Sequence, residues 1–530
     1  DVLLADNPAL VVTSITDFGQ DGPYADYIGT DMVDLALGGV MCRGGTLDRP
    51  PLTAPGMLAY DIAGVTAAFA GLLAHWHRLR TGSGQHVDVS VMESVANCSD
   101  WALPTASWLG PGYPQIRAGA GPVYPIFPCK DGFVRVVILT TAQWREMRSW
   151  LGEPEMLQED HWDLLLMRIT IGDVLEPLYV ELFKDSTMAE LCAEGQRRRV
   201  AITPVLRPRE VLEHPHFVER GTFTRAELAP GVEARVPSGM FEIDGARAGF
   251  RHRAPGLDEH DGGVWTGPRV AGGADGGGDP AGLPFAGLRV LDFGIGGVGV
   301  ETGRLFAEYG ADVIKVENGD HPDFIRCITG TESSPSFSSS SRTKRSLGID
   351  VKSPEGHEIL LGLARGADVV IENSQKGVMD AMGVGYEALR ACNPRVVMVS
   401  SQLLGSRGPA SDWMGYGPST RPIGGLSYLW SHPGSDVPAE SSSIHPDHLA
   451  GRVGAVGALA ALVGRERTGV GCHVEVAQVE VVVGLLGDLF AQEDLRPGTV
   501  VPIGNTSAVA APRGPYPCQG EEQYVVVDVQ

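Results

Sequence analysis

The spacing of apolar and polar positions divides much of the chain into strands and helices. Positions 288–293 form an apolar run that predicts a strand, followed by a glycine-rich turn and a helical stretch to about Tyr309. Positions 312–317, 368–372 and 395–401 predict three more strands. Ser353-Pro354-Glu355 has the N-cap and proline chemistry of a helix start, and that helix is expected to run to about Arg365. Strands alternating with helices predict a parallel α/β sheet. Between Gly132 and Phe250 the pattern changes. A strand over 133–139 and helices over 142–151 and 188–193 predict a separate, smaller α+β unit.

A second pattern lies above the first. Asn7-Pro8-Ala9-Leu10-Val11-Val12 recurs as Asn393-Pro394-Arg395-Val396-Val397-Met398, and the register holds downstream. Pro8 and Pro394, Pro23 and Pro409, Gly38 and Gly424, and Asp61 and Asp447 all stand 386 residues apart. After one inserted residue, Arg80-Thr81-Gly82-Ser83-Gly84 matches Arg467-Thr468-Gly469-Val470-Gly471. A constant register over this length identifies a tandem duplication. The copies are cut unequally. The second carries a stretch from about Phe285 that the first lacks, and the first runs on from Cys129 to His260. The sequence is therefore expected to be a slice of a longer fused protein. Between the copies, Gly262-Gly263, Gly272-Gly273 and Gly276-Gly277-Gly278 predict a flexible linker.

Composition narrows the function classes. With 42 Lys+Arg against 65 Asp+Glu, the formal charge is −23, which argues against a nucleic-acid partner. No run of about 18 apolar residues occurs, so no membrane span is expected. The eight cysteines are scattered without a CxxC pair, as suits reduced thiols in a cytoplasmic enzyme.

Gly294-Ile295-Gly296-Gly297-Val298-Gly299 matches GxGxxG between a strand and a helix, with Glu317 ending the next strand. Alone, it admits an NAD-dependent oxidoreductase. No hydride-transfer constellation accompanies it, and the duplicated aspartate blocks would then be idle.

Several ordered blocks resemble the family III CoA-transferases (the CaiB/BaiF group). They are Phe285-Ala286-Gly287-Leu288-Arg289-Val290-Leu291-Asp292-Phe293, the 310–317 strand, Lys344-Arg345-Ser346-Leu347, Asp368 to Asn373, Ser14 to Tyr24 and Arg80 to Val87. The resemblance implies an α/β fold in two interlocked copies, each a Rossmann-like parallel-sheet large domain plus a small α+β domain. The expected boundaries are 1–110 (end of large domain, copy 1), 111–260 (small domain, copy 1), 261–284 (linker), 285–500 (large domain, copy 2) and 501–530 (start of small domain, copy 2). It implies that CoA moves from an acyl-CoA to a carboxylic acid through aspartyl anhydride and aspartyl-CoA thioester intermediates. CoA and acyl-CoA would be substrates, with no permanently bound cofactor and no metal. An intramolecular pseudo-dimer is implied, with room for further homo-oligomerisation. The nucleophile positions fall on Asp61 and Asp447, and the second acidic position on Asp31 but on Gly417 in copy 2. CoA contacts fall on Gly296, Gly297, Val298, Lys344, Arg345, Asn373 and Ser374. Gly119 and Gly504 are oxyanion candidates. A racemase of the same family would need a histidine where Thr30 and Tyr416 stand. A coupled lyase step and a non-catalytic CoA-binding role are the remaining alternatives.

Overall fold

The computed structural model describes residues 2–99, 101–110, 117, 119–121, 123–247, 249–259, 279, 281–328, 333–435 and 437–529. Most of the expected linker lies outside the described residues. A seven-stranded sheet runs in the order Arg345–Gly348, Asp312–Glu317, Arg289–Asp292, Val369–Glu372, Val397–Gln402, His473–Ala477, Glu242–Ile243. Its first six strands are parallel and the last is antiparallel. Both faces are covered, and the period-2 alternation of strand side chains shows it. Val290, Val369, Ile371, Val397 and Val399 feed one core with Phe306, Leu459 and Leu462. Leu291, Val370, Val396 and Met398 feed another with Leu360 and Leu389.

Copy 1 repeats part of this frame. Val11–Thr16 pairs in parallel with Gln85–Ser90, as Val397–Gln402 pairs with His473–Ala477. The 24-residue helices Leu58–Thr81 and His445–Thr468 correspond. Each ends at a glycine in the left-handed region, Gly82 at φ +79° and Gly469 at φ +74°, where a side chain would be strained. Arg452 Nη1 donates to Thr66 Oγ1 at 3.1 Å, across a separation of 386 residues. The arginine thus bonds its own repeat mate, as an approximate two-fold axis between the helices requires. Leu58–Thr81 is long and apolar enough to cross a membrane by length and composition. In this fold it packs its buried face, including Ile62, Phe69 and Leu73, into the protein core.

The small unit is a three-stranded antiparallel sheet of Ile126–Cys129, Gly132–Val137 and Ala201–Pro204. Its core centres on Phe127, Val134, Trp144 and Phe183. The strand expected to reach residue 139 stops at Val137, because Thr140 and Gln143 form a capping box that starts the Thr141–Trp150 helix. The helix expected over 188–193 runs Met188–Arg197, started by a Thr187–Glu190 capping box.

The copies interlock. Glu242–Ile243, near the end of copy 1, adds an edge strand to the copy 2 sheet. Behind it, buried Arg220 meets Glu475 at 2.7 Å and Glu480 at 3.0 Å, both from copy 2. In return, the copy 2 hairpin Arg513–Pro517/Tyr524–Asp528 reaches copy 1, where Thr30 Oγ1 donates to Asp528 Oδ2 at 2.8 Å.

Candidate active site

The glycine loop joins the Arg289–Asp292 strand to the Val298–Glu308 helix, and each glycine has an identifiable steric reason. A Cβ on Gly294 would lie 2.4 Å from the Gly299 carbonyl carbon, and one on Gly299 would lie 2.5 Å from Gly294 Cα. Gly296 sits at φ +72°. Three successive loop N–H groups are already engaged. Gly294 donates to Asp292 Oδ1 at 2.7 Å, Ile295 to Asn373 Oδ1 at 2.7 Å, and Gly296 to Asp323 Oδ1 at 3.0 Å. A dinucleotide turn needs such donors for a diphosphate. Here two carboxylates and an amide occupy them. Glu317, which would hold a ribose hydroxyl in that reading, instead pairs with Arg326.

Asp447 stands in the first turn of the His445–Thr468 helix and is aimed at this loop. A Cβ on Gly297 would lie 2.5 Å from Asp447 Oδ1, and one on Gly417 would lie 1.6 Å from Oδ2. The carboxylate therefore fills a cradle that exists only because both neighbours are glycine. Oδ2 is buried with no hydrogen-bond partner. Gly297 is also the N-cap of the Val298–Glu308 helix, which has no side-chain cap. Asp447 so approaches an uncapped helix N-terminus, where negative charge is favoured. Burial pushes its pKa up to about 6, opposed by nearby His448 and Arg421.

A cavity of about 230 Å³ opens beside Asp447. Gly296, Gly297, Val298, Asn373 and Ser374 line it, so these expected positions come together with the aspartate. Asn373 fixes the loop from both sides, accepting from Ile295 N–H and donating to Ile295 C=O at 2.8 Å. Behind the wall, buried Glu372 accepts from Ser374 N–H at 2.7 Å and Gln402 Nε2 at 2.8 Å, and burial raises its pKa to about 7.

Lys344 and Arg345 do not join this cavity wall. Lys344 is buried, with Nζ at 2.7 Å from both Asp292 Oδ2 and Val300 O, and burial lowers its pKa. It braces the strand and helix that flank the loop. Arg345 is exposed and pairs with Asp312 at 3.0 Å. Gly119 spends its N–H on Gly45 C=O at 2.9 Å. Gly504 lies against Pro433 on the wall of a cavity of about 260 Å³ near Met57, Asp488 and Arg513.

Sequence reasoning missed the residues that copy 1 lends to this cavity: Trp101, Tyr124 and Leu139. Only their number, not their place, is legible in a linear chain. It also missed His448, which is buried with Nδ1 3.4 Å from Glu301 Oε2 and packs edge-on to Trp101. Beneath the cavity, Glu440 binds Arg421 at 3.3 Å and also Arg135 of copy 1, while Arg135 Nη1 donates to Pro418 C=O at 2.8 Å.

The equivalent position in copy 1 is built differently. Asp31 is buried and accepts from Ala59 N–H at 2.7 Å and Tyr60 N–H at 3.4 Å, capping the helix that carries Asp61. Burial raises the Asp31 pKa to about 6. Burial, then the charges of Asp31 and Asp488, raise that of Asp61 to about 7.

The sequence profile of CoA-transferase family III matches residues 1–261 and 285–530. The chain belongs to CoA-transferase family III. Membership in this enzyme family accounts for both repeats, which fall on either side of the glycine-rich segment. The chain is 39% identical to a probable CoA-transferase of Mycobacterium tuberculosis, over 98% of this chain and 67% of that protein. It is 33% identical to the succinyl-CoA–L-malate CoA-transferase beta subunit of Chloroflexus aurantiacus, over 38% of this chain and 50% of that one. Among solved structures, a CaiB/BaiF family protein of Brucella suis is 30% identical with a TM-score of 0.42, covering 44% of this chain and 63% of that one. The chain thus spans two thirds of the first relative and about half of the second.

Proposed function

We propose that this protein transfers CoA from an acyl-CoA thioester to a carboxylic acid, with Asp447 as the nucleophile. The observation that carries this reading is the Asp447 carboxylate, partly desolvated, with one unpartnered oxygen, cradled by Gly297 and Gly417 at the wall of the cavity. An aspartate raised to about pH 6 is ionised at neutral pH yet more basic than one in water, which suits a nucleophile.

Attack on the thioester carbonyl breaks the C–S bond, giving an acyl-aspartyl anhydride and CoA thiolate. The thiolate returns to the aspartyl carbonyl, expelling the donor acid and leaving an aspartyl-CoA thioester. The acceptor carboxylate attacks this thioester, forming a second anhydride and freeing the thiolate again. Thiolate attack on the acceptor acyl carbon releases the new acyl-CoA and restores Asp447. The uncapped N-terminus of the Val298–Glu308 helix supports the oxyanions that form at each step. A neighbouring cavity of about 430 Å³ shares Ile295 and Ser374 with the first and carries Lys352 and His321 on its lining, offering room for the remainder of CoA.

Asp61, coupled to Asp31 beside it, is the nucleophile candidate of copy 1. The test is CoA exchange between acyl-CoA and free acid by Asp447→Ala and Asp61→Ala, with hydroxylamine trapping of enzyme-bound acyl or CoA species. Loss of exchange and of the trapped adduct in Asp447→Ala is expected. Full exchange in that variant would remove Asp447 from the mechanism.

A further inference from the structure

The walls of the cavity beside Asp447 point to a substrate class, given the CoA-transfer reading above on which this step rests. Much of the cavity lining is apolar or aromatic, including Trp101, Tyr124, Leu139, Phe324, Trp413 and Tyr416. Lys376 is the one cation among the described lining residues. It stands exposed and is held to Ser411 Oγ at 3.2 Å and near Asp412 at 3.9 Å. Arg421, although close enough to act on Asp447, donates to Ser443 C=O at 2.8 Å and pairs with Glu440.

The carboxamide donors on the lining are engaged too. Asn373 Nδ2 serves Ile295 C=O, Gln375 Nε2 serves Asp412 C=O at 2.6 Å, Gln402 Nε2 serves Glu372, and Gln478 Nε2 serves Ser401 C=O at 3.2 Å. Two buried polar atoms on the lining have no partner, the acceptor Gln402 Oε1 and the neutral donor Trp101 Nε1. Such a wall answers an apolar body carrying at most neutral polar groups. Apart from Lys376, exposed and shared with Asp412, the described lining carries no charge to neutralise a second carboxylate, and an unpaired buried carboxylate is strongly disfavoured, the more so beside the charge of Asp447. The volume, about 230 Å³, exceeds the roughly 150 Å³ of an apolar cavity that accepts a benzene ring.

We infer that this site takes monocarboxylic acids with a bulky apolar or aromatic body, and discriminates against dicarboxylic acids. The experiment measures isotope exchange between an acyl-CoA and its own labelled free acid, catalysed by the full chain. The two pairs are 3-phenylpropionyl-CoA with 3-phenylpropionate, and succinyl-CoA with succinate. The expected result is at least about tenfold higher kcat/KM for the aromatic pair, since even 1.4 kcal/mol of lost pairing is tenfold. Equal or faster exchange of the succinyl pair overturns the inference and leaves CoA transfer standing. Exchange of neither pair, with no trapped adduct on Asp447, overturns both. Leu139→Lys, which adds a cation to the wall, is expected to narrow the ratio about tenfold or more. An unchanged ratio in that variant, with exchange retained, would place the acyl body outside this cavity and overturn the assignment.

Discussion

Gly417→Ala is the sharpest test of the Asp447 cradle. The backbone of Gly417 is outside the left-handed region and opens the Gly417–Ile423 helix, so alanine fits the local conformation. The added methyl would lie 1.6 Å from Asp447 Oδ2 and 2.2 Å from Cγ. Real Cβ contacts under 3.0 Å are essentially never seen, so the carboxylate and the Gly417 backbone must separate by about 1.4 Å. A misplacement of about 1 Å at a reacting group costs on the order of 10²-fold. A kcat loss of that order or greater is therefore expected, with a stability cost of about 1–3 kcal/mol from overpacking. The decisive assay is a double-mutant cycle in urea denaturation. With Asp447→Ala already present the clash is gone, and Gly417→Ala should become neutral or stabilising by up to about 1 kcal/mol through helix propensity. Wild-type exchange rates in Gly417→Ala, or the same stability cost in both backgrounds, would refute the cradle.

The acid limb of kcat/KM should fall near pH 6, because Asp447 must be ionised and protonation below that value removes the nucleophile. His448→Ile, which installs the residue copy 1 carries at Ile62, removes an imidazole that lowers the Asp447 pKa. The limb should then move to higher pH, and an unmoved limb would exclude His448 from control of Asp447. Asp34 is fully buried with both carboxylate oxygens unpartnered, and burial lifts its pKa to about 7. The folded state therefore holds a proton that the unfolded state releases near pH 4, so Asp34 lowers stability progressively as pH rises from about 4 to 7. Asp34→Asn is expected to stabilise by roughly 1–3 kcal/mol at pH 8 and not at pH 4, read by denaturant unfolding at both pH values. Lys344→Met should cost about 3–5 kcal/mol by leaving buried Asp292 unpaired, whereas Arg345→Ala on the surface should change stability by under about 0.5 kcal/mol. Similar thermal shifts in the two variants would contradict the placement of Lys344.

The sheet and the duplication were legible because they rest on periodicity and register, which a linear chain displays directly. Val369, Val370 and Ile371 read as a strand buried on both faces, and the matched pair Asp61 and Asp447 stands out by its fixed offset. Lys344 reads as a ligand contact because a basic residue in a family block suggests an anion. In the fold its ammonium is enclosed by Asp292, 52 residues earlier, and by a helix carbonyl. No local pattern signals that partnership. Trp101, Tyr124 and Leu139 were illegible for a different reason. They reach the Asp447 cavity only because the copies thread through one another, and interlocking is a property of chain topology. The glycine motif was legible as a tight turn, but its ligand was not. The acceptors that consume its N–H groups come from Asp292, Asp323 and Asn373, three separate places in the chain.

The two copies differ at the second acidic position, Asp31 in one and Gly417 in the other, and their surroundings differ with it. In copy 1, Asp31 is needed at the start of the Leu58–Thr81 helix, where it accepts the N–H groups of Ala59 and Tyr60. The copy 2 counterpart of Tyr60 is Pro446, which has no N–H to satisfy. One of the two demands on the acid is thus absent, and its position can be Gly417. The space released is where Asp447 Oδ2 lies. Meanwhile Ile62 and Thr66 are replaced by His448 and Arg452, which meet Glu301 of the glycine-loop helix at 3.4 and 3.5 Å. An acid that caps from one side in copy 1 gives way in copy 2 to His448 and Arg452, which reach from the aspartate's own helix to the glycine-loop helix. Asp61 therefore shares its surroundings with a second carboxylate, whereas Asp447 is set among glycines, His448 and Arg421, which favour its ionised form. The two aspartates occupy the same place in the repeat but different electrostatic environments, and on that difference we propose copy 2 as the working site.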